Sequence, residues 1–160
     1  MKLVLCTDSR YGYSFNHRRQ SSDIEMRRDM VRRLGTEADR IFVNAYTERS
    51  LLKDGCFSDE EAARRKDGPS PSGRAFLETA EKAGGWAFAE NVDLKGCLHC
   101  IDELLLYIWD KRYPADYTFP AELLSSFRLE EEAQLKGRSH DVIYLKHYVR
   151  KSPEAGEGGR

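Results

Sequence analysis

The chain of 160 residues lacks several features that would place it in a specialised class of protein. It has no apolar run near the roughly 18 residues that a membrane-spanning helix requires, so no membrane span is expected. The first apolar run, within MKLVLCTDSR, is too short for a signal peptide. Four cysteines are too few for a disulfide scaffold in a chain of this size, so a reduced, cytoplasmic location is expected.

The chain also lacks an excess of charge of one sign. It has 26 Lys and Arg residues against 27 Asp and Glu residues, and the net charge of -1 provides no global basic field for nucleic acid. Its length suits a single domain with one core, predicted over residues 1–151. The Gly- and Pro-rich region 54–85 is predicted to be a divergent insertion or loop region. The polar segment 152–160 is predicted to be a disordered tail.

Short apolar runs alternate with helical patterns in the first hundred residues, which indicates an α/β fold. Strands are predicted over Lys2 to Thr7, Arg40 to Asn44 and Trp86 to Glu90, and they are expected to be parallel. Asp8 to Gln20 is interpreted as a long polar loop.

Helices are expected between these strands. Ser21 or Ser22 is predicted to be an N-cap for a helix whose inward face holds Ile24, Val31 and Leu34, and Gly35 is expected to end it. Further helices are predicted over Thr47 to Lys53, within the solvated run SDEEAARRKDGPSPSG, and over Arg74 to Ala83.

The C-terminal third predicts three strands in succession. An apolar strand runs from Cys100 to Ile108, with Cys100 facing the core, and FRLEEEAQL and DVIYLKHYVRK form a hairpin. The acidic run Leu129 to Ala133 is interpreted as a solvated edge that prevents pairing with other chains. We therefore predict a mostly parallel central sheet with an antiparallel C-terminal hairpin, flanked by helices on both faces.

The segment CIDELLLYIWDKRYPADYTFP resembles the end of a dihydrofolate reductase, where a pattern aDELyLT…aDxxFP precedes two long antiparallel strands. RIFVNAYTERSL is similar to the family segment vvMGRkTweSl, with Thr47 and Ser50 in step, and WAFAENVDLKG is similar to vfviGGxxly. NHRRQSSDIEMRRDM is similar to lPWxlpxDlxxFk, which places Asp23 at the acidic residue that binds the pterin ring. The resemblance implies a dihydrofolate reductase-like three-layer sandwich.

The chain departs from this family at the positions that contact the cofactor. The resemblance places Gly-Arg after the second strand and Gly-Gly after the third, where backbone and guanidinium groups approach the phosphates of NADPH. Here those positions are Asn44-Ala45 and Glu90-Asn91, and the Pro-Trp of the substrate loop is Arg19-Gln20. NADPH is therefore not expected as a cofactor, and the sequence indicates no other.

Polar side chains are predicted to gather where the parallel strands end, because this edge is the usual ligand crevice of an open α/β sheet. Arginines there would offer a bidentate fork to a phosphate or carboxylate. Asp23 and Glu90 are predicted to be a catalytic acid–base pair. The alternative is an internal network in which the arginines pair with these two carboxylates. The predicted ligand-binding residues are Arg18, Arg19, Gln20, Asn44, Tyr46 and Asn91.

Three other features have weaker functional interpretations. Cys97 and Cys100 have CxxC spacing, but a zinc site needs two further ligands, so no metal is predicted. His140, in the turn of the C-terminal hairpin, is expected to be an exposed polar residue, with a general base as the alternative. RYGYSFNHRRQ has the composition of single-stranded nucleic-acid binders, but the balanced net charge favours a loop folded over a small ligand.

FNHRRQSSD also resembles a group of small bacterial proteins called ribonuclease Z, although the HxHxDH zinc motif of authentic ribonuclease Z enzymes does not occur in this chain. The function predicted is binding or conversion of a small phosphorylated or nucleotide-like ligand in a rewritten reductase-type crevice. One alternative is an NADPH-dependent pterin or flavin-type reductase with an altered cofactor site. Others are an RNA-binding or ribonuclease-type protein and a noncatalytic partner-binding module.

Overall fold

The computed structural model describes residues 1–34 and 41–153, and its main feature is a six-stranded sheet. The strands are β1 (Lys2–Thr7), β4 (Ile41–Phe42), β5 (Trp86–Phe88), β6 (Glu103–Trp109), β8 (Phe127–Leu135) and β9 (Ile143–Arg150). Their order is β4-β5-β1-β6-β9-β8. The first four strands are parallel, and β9 and β8 are antiparallel to their neighbours. The predicted α/β class and the antiparallel C-terminal hairpin are confirmed.

A second, three-stranded antiparallel sheet packs β2 (Gly12–Phe15) between β3 (Arg18–Arg19) and β7 (Tyr117–Thr118). The prediction of a plain loop over residues 8–20 is therefore wrong. Asn16 and His17 connect β2 to β3 with φ angles of 54° and 61°. Positive φ at both positions of a two-residue turn is the type I′ geometry that matches the strand twist of a hairpin. The turn leads into β3, from which the Arg19 side chain reaches Glu90 beyond the end of β5.

The described part of the chain has four α-helices around the main sheet: α1 (Ile24–Leu34), α2 (Ala45–Lys53), α3 (Asp59–Asp67) and α4 (Ala75–Ala83). At the start of α1 the capping side chain is Asp23 rather than Ser21 or Ser22, because its Oδ1 accepts a hydrogen bond of 2.9 Å from the Glu25 N–H. The predictions that concern Gly35, Arg40 and the tail beyond residue 153 lie outside the described residues.

Apolar side chains cover the main sheet on both faces. Neighbouring residues along β1 and β6 point to opposite faces and therefore belong to different apolar clusters. Leu3 and Leu104 belong to one apolar cluster, to which α4 contributes Phe76. Val4 and Leu105 belong to the other, in which α1 and α2 bury their apolar residues. Double-sided burial explains why the parallel strands are continuously apolar. It also confirms the three-layer arrangement.

The outer strand β8 exposes residues 128–132, which confirms the predicted solvated acidic edge. Cys100 lies in a short 3-10 helix, Leu98–Cys100, before β6 begins, where it is half-buried and packs against the apolar cluster that contains Leu3 and Leu104. Within the described residues no group of His, Cys, Asp or Glu has the arrangement of a metal site. No helix in the same part of the chain is long and apolar enough to cross a membrane.

Candidate functional site

Glu90 lies at the centre of a buried ionic cluster, two residues beyond the end of β5. Arg19 Nε and Arg27 Nη2 donate to its Oε2 at 3.0 and 2.9 Å. The Thr47 hydroxyl donates to Oε1 at 2.9 Å, and Arg19 Nη2 lies 2.9 Å from the same oxygen. Only 4% of the Glu90 side chain is exposed. The carboxylate is therefore held by charge-assisted hydrogen bonds on both oxygens.

Arg27 is a member of this cluster that the sequence analysis missed. It lies on the inward face of α1, with 1% of its side chain exposed. Its Nε donates to Ser22 Oγ at 3.0 Å and lies 3.7 Å from Asp54 Oδ2. The signal was available in the sequence: Arg27 interrupts the apolar stripe at helical spacing between Ile24 and Val31. A charge in such a stripe must find a buried partner.

Arg19 forms the more accessible side of the cluster, with 20% of its side chain exposed. Its guanidinium carbon lies 4.2 Å from the ring centre of Tyr46, and its backbone N–H donates to the Tyr46 hydroxyl at 3.1 Å. Burial alone would lower the pKa of Arg19, but the hydrogen bond and charge of Glu90 raise it above its ordinary value. Arg19 therefore contacts both Tyr46 and Glu90, with which it was predicted to share a site.

The two arginines have more donors than the cluster has acceptors. Arg27 Nη1 is buried and has no hydrogen-bond partner among the described residues. Arg19 Nη2 is also buried, and its approach to Glu90 is not aligned as a hydrogen bond. A buried donor without an acceptor is costly, so these two groups favour the approach of an additional anion or polar ligand.

Asn44 and Asn91 lie next to the Glu90 cluster, at the same edge of the main sheet, and are hydrogen-bonded to each other. Asn44 Nδ2 donates to Asn91 Oδ1 at 2.9 Å and to the Gly73 carbonyl at 3.0 Å. Asn44 Oδ1 also caps α2 by accepting from the Thr47 N–H at 3.1 Å. Asn91 Nδ2 reaches the carbonyl of His17 at 3.4 Å. The positions where the family resemblance places phosphate contacts are thus joined by side-chain hydrogen bonds.

Two other predicted ligand-binding residues lie around this cluster. Gln20 Nε2 donates to Asp8 Oδ2 at 3.1 Å and to the Pro114 carbonyl at 3.3 Å, so its amide supports two loops. Arg18 is exposed in β3, where its carbonyl accepts a hydrogen bond from Ser14. Neighbouring residues of a strand point to opposite faces, so the exposed Arg18 side chain lies on the other side of β3 from Arg19.

Asp23 lies in a separate cluster at the turn between β8 and β9. Its Oδ1 accepts from the Arg138 N–H at 3.0 Å, and its Oδ2 accepts from the Ser139 N–H at 2.8 Å. The N–H of His140 and its ring Nδ1 each lie 3.2 Å from the same Oδ2. Within the described residues no hydrogen bond joins Asp23 to Glu90, so the two predicted catalytic carboxylates are not a directly contacting pair.

These contacts keep Asp23 ionised. Burial by itself would raise the pKa of the Asp23 carboxyl, but hydrogen bonds from the N–H groups of Arg138 and Ser139 and from the side chain of His140 outweigh burial. The pKa is held well below its usual range. Asp23 is therefore suited to accept hydrogen bonds and orient a neighbour rather than to act as an acid.

His140 is 3% exposed, so its predicted position as an exposed turn residue is wrong. Its ring stacks on Trp109 with the centroids 4.4 Å apart and the planes inclined by 20°. Its Nε2 lies 3.0 Å from both Ser21 Oγ and Tyr113 OH. No local pattern in the sequence indicates this burial, because the turn is covered only when the hairpin packs over the start of α1.

A groove of about 720 Å³ lies on the sheet near the ends of β1 and β6. Tyr11, Tyr144 and Lys146 contribute to its lining, and Tyr144 is 40% exposed. The residues of the Glu90 cluster do not line this groove. The groove is therefore a separate surface from the predicted site.

No protein-family model matches the chain, and no curated protein matches it. Among solved structures, 149 chains match. One is dihydrofolate reductase from Enterococcus faecalis complexed with NADP(H) and RAB-propyl, with a TM-score of 0.59 and 11% sequence identity. The match covers 94% of this chain and 96% of that chain.

An identity of 11% shows a shared fold and nothing about shared chemistry. The chain therefore has the dihydrofolate reductase-like fold, as the sequence resemblance implied. The resemblance to the proteins called ribonuclease Z stays a prediction.

Proposed function

We propose that the protein binds a small phosphorylated or nucleotide-like anion at the edge of the sheet where the parallel strands end. The observation that carries this proposal is the excess of buried donors around Glu90: Arg19 and Arg27 share one carboxylate, and Arg27 Nη1 has no hydrogen-bond partner among the described residues. An unsatisfied buried donor costs about 1–3 kcal/mol, so an oxygen anion that reached it would relieve that cost.

The ligand approaches from the side of the β2–β3 hairpin. Arg18 and His17 are exposed there, and Arg19 is the partly exposed member of the cluster. The incoming anion competes with Glu90 for Arg19, while Glu90 keeps its bonds to Arg27 and Thr47. The planar guanidinium of Arg19, stacked on Tyr46, is already oriented for a bidentate contact with phosphate.

NADPH bound in the manner of the reductases is not part of this proposal. The Glu90 side chain and the Asn44–Asn91 hydrogen bond occupy the places where the resemblance puts glycine-mediated phosphate contacts. A phosphate at either place would have to displace a side chain that is already hydrogen-bonded. These features favour a ligand that contacts the arginines rather than the helix start.

A second candidate function is binding of single-stranded RNA. Phe15, which is 45% exposed, lies opposite Arg18 in the register of the β2–β3 hairpin. An exposed aromatic ring beside an arginine is the kind of pair on which bases stack. The balanced net charge of the chain speaks against a large nucleic-acid interface.

Isothermal titration calorimetry with inorganic phosphate, GTP, folate, NADPH and a short single-stranded RNA tests these alternatives together. We expect Arg19→Ala to weaken the binding of inorganic phosphate or GTP, whichever binds the wild type, by about 1.5–3 kcal/mol. This is the contribution of hydrogen bonds to a charged group. Arg49→Ala, which removes an exposed arginine from α2, is the matched control and should leave the affinity unchanged. Absence of binding to every compound, or equal affinity in Arg19→Ala, would contradict the proposal.

A further inference from the structure

Three side chains that are distant in the sequence form a hydrogen-bonded series beside the start of α1. Ser21 Oγ lies 3.0 Å from His140 Nε2, and His140 Nδ1 lies 3.2 Å from Asp23 Oδ2. Ser21 and Asp23 precede the helix, whereas His140 comes from the turn between β8 and β9. The first distance is within the range for a nucleophile and its base, and the second is within the range for a base and the group that orients it.

The protonation of the series follows from its charges. The ionised Asp23 carboxylate accepts a hydrogen bond from His140 Nδ1, so the proton of a neutral His140 ring lies on Nδ1. Nε2 is then free to accept a proton from the Ser21 hydroxyl. Which nitrogen carries the proton thus depends on the carboxylate, as in other serine nucleophile sites.

We propose that Ser21, His140 and Asp23 form the catalytic triad of a hydrolase that acts on small carboxylic esters. Ser21 Oγ forms a bond to the carbonyl carbon while its proton moves to His140 Nε2. The bond from that carbon to the alcohol oxygen then breaks, and the alcohol leaves with the proton from His140. Water, deprotonated by the same nitrogen, then attacks the carbonyl carbon of the acyl-serine. The bond from that carbon to Ser21 Oγ breaks, His140 Nε2 returns the proton to Oγ, and the carboxylic acid is released.

The cluster is more extensively organised than a helix cap requires. A cap needs one backbone bond, which the Glu25 N–H supplies, yet Asp23 also receives bonds from Arg138, Ser139 and His140. The stack on Trp109 fixes the plane of the imidazole. These contacts hold the carboxylate and the imidazole in one relative orientation, as a base and the group that orients it require.

The side chains of Asp23, His140 and Ser21 differ in how far they are buried, and this difference matches their roles in the triad. The side chains of Asp23 and His140 are 0% and 2% exposed, so water does not weaken their interaction. Ser21 is half-buried and forms the accessible end of the series. Tyr113 OH also lies 3.0 Å from His140 Nε2 and is the competing hydroxyl at this nitrogen.

The triad does not depend on the anion site proposed above, but one property of its substrate does. Arg27 donates to Ser22, the neighbour of Ser21, so the positive cluster begins next to the nucleophile. If that cluster binds anions, esters with a second, anionic end should be preferred. This preference alone rests on the proposed function.

The test uses the complete chain with two probes, p-nitrophenyl acetate and mono-p-nitrophenyl succinate, and a fluorophosphonate label located by peptide mass spectrometry. We expect the label on Ser21 and a fall in hydrolysis of about 100-fold or more in Ser21→Ala, the usual contribution of an activated group. Ser125→Ala, at an exposed serine outside the cluster, should retain full activity. Tyr113→Phe should not lower the rate and should raise it if the two hydroxyls compete, because Ser21 is then the remaining hydroxyl at Nε2 among the described contacts.

The outcomes separate the two proposals. Hydrolysis of both esters at similar rates with label on Ser21 supports the triad and speaks against the anion site. A label on Tyr113 or Ser139, equal activity in folded Ser21→Ala, or no label and no hydrolysis in the folded wild type would overturn the triad. If Ser21→Ala does not fold, the position of the label in the wild type decides.

Discussion

Arg27 and Glu90, 63 positions apart in the chain, form a buried ion pair with Nη2 and Oε2 2.9 Å apart. Their side chains are 1% and 4% exposed, so neither charge is balanced by water. Glu90 follows β5 and Arg27 lies on α1, and the pair therefore joins one helical layer to the edge of the sheet where the parallel strands end. A buried pair of this kind is destabilised strongly when one partner is removed, because the other charge stays buried.

Glu90→Gln should lower the free energy of unfolding by about 3 kcal/mol, because it leaves Arg19 and Arg27 without their shared carboxylate. Urea denaturation followed by circular dichroism measures the effect. If the cluster is an anion site, the same variant should bind inorganic phosphate more tightly, and added phosphate should recover part of the lost stability.

Glu131→Gln is the control for that substitution. Glu131 pairs with Arg33 at 3.0 Å, but 47% of its side chain is exposed, so its loss should cost less than about 1 kcal/mol. Equal destabilisation by the two variants would show that Glu90 has no special structural role.

Stability should fall in acid through Asp23. Burial opposes its ionisation, but hydrogen bonds from Arg138, Ser139 and His140 lower the pKa of Asp23 in the folded state. A lowered pKa gives stability that is present above the unfolded value of about 4 and is lost as the pH falls below it. Urea midpoints between pH 2 and pH 7 should therefore decrease below about pH 4.

Asp23→Asn separates this contribution from that of the other carboxylates. The variant should be less stable than the wild type at about pH 7. Between about pH 5 and about pH 2, its free energy of unfolding should decrease less than that of the wild type. Parallel curves for the two proteins would show that Asp23 does not contribute to acid unfolding.

Gly137→Ala should destabilise the protein by about 1–3 kcal/mol. A Cβ at this position would lie 2.5 Å from Asp23 Oδ2 and 2.6 Å from the His140 carbonyl. The added methyl group would therefore separate the hairpin turn from the carboxylate that it binds. Thermal unfolding measures the change. Gly68→Ala, where nothing lies within 4 Å of the added Cβ, should change stability by less than about 0.5 kcal/mol.

NADPH should not bind with micromolar affinity, because the side chains of Glu90, Asn44 and Asn91 are already hydrogen-bonded at the positions where the family resemblance places the cofactor phosphates. Calorimetry with NADPH, together with an assay for dihydrofolate reduction, measures this directly. A micromolar dissociation constant, or reduction above the background rate, would show that these side chains move aside for the cofactor.

Much of the fold follows from local patterns in the chain. Apolar continuity in Lys2–Thr7 indicates a strand buried on both faces, and the acidic run in Phe127–Leu135 indicates a solvated edge strand. The hairpin in residues 8–20 was missed because its turn uses Asn16 and His17, without the glycine that usually indicates a type I′ turn.

The contacts of the candidate sites depend on which elements pack together, and this was decided only in three dimensions. The chain order shows that Arg19 and Glu90 both follow strands, and a shared edge could be predicted from that alone. The contact of Asp23 with His140 depends on the packing of the C-terminal hairpin over the start of α1. The contact of Arg27 with Glu90 depends on the packing of α1 beside the end of β5. Local propensity carries no information about such contacts, because hydrogen bonds between residues more than 60 positions apart form only once the sheet is assembled.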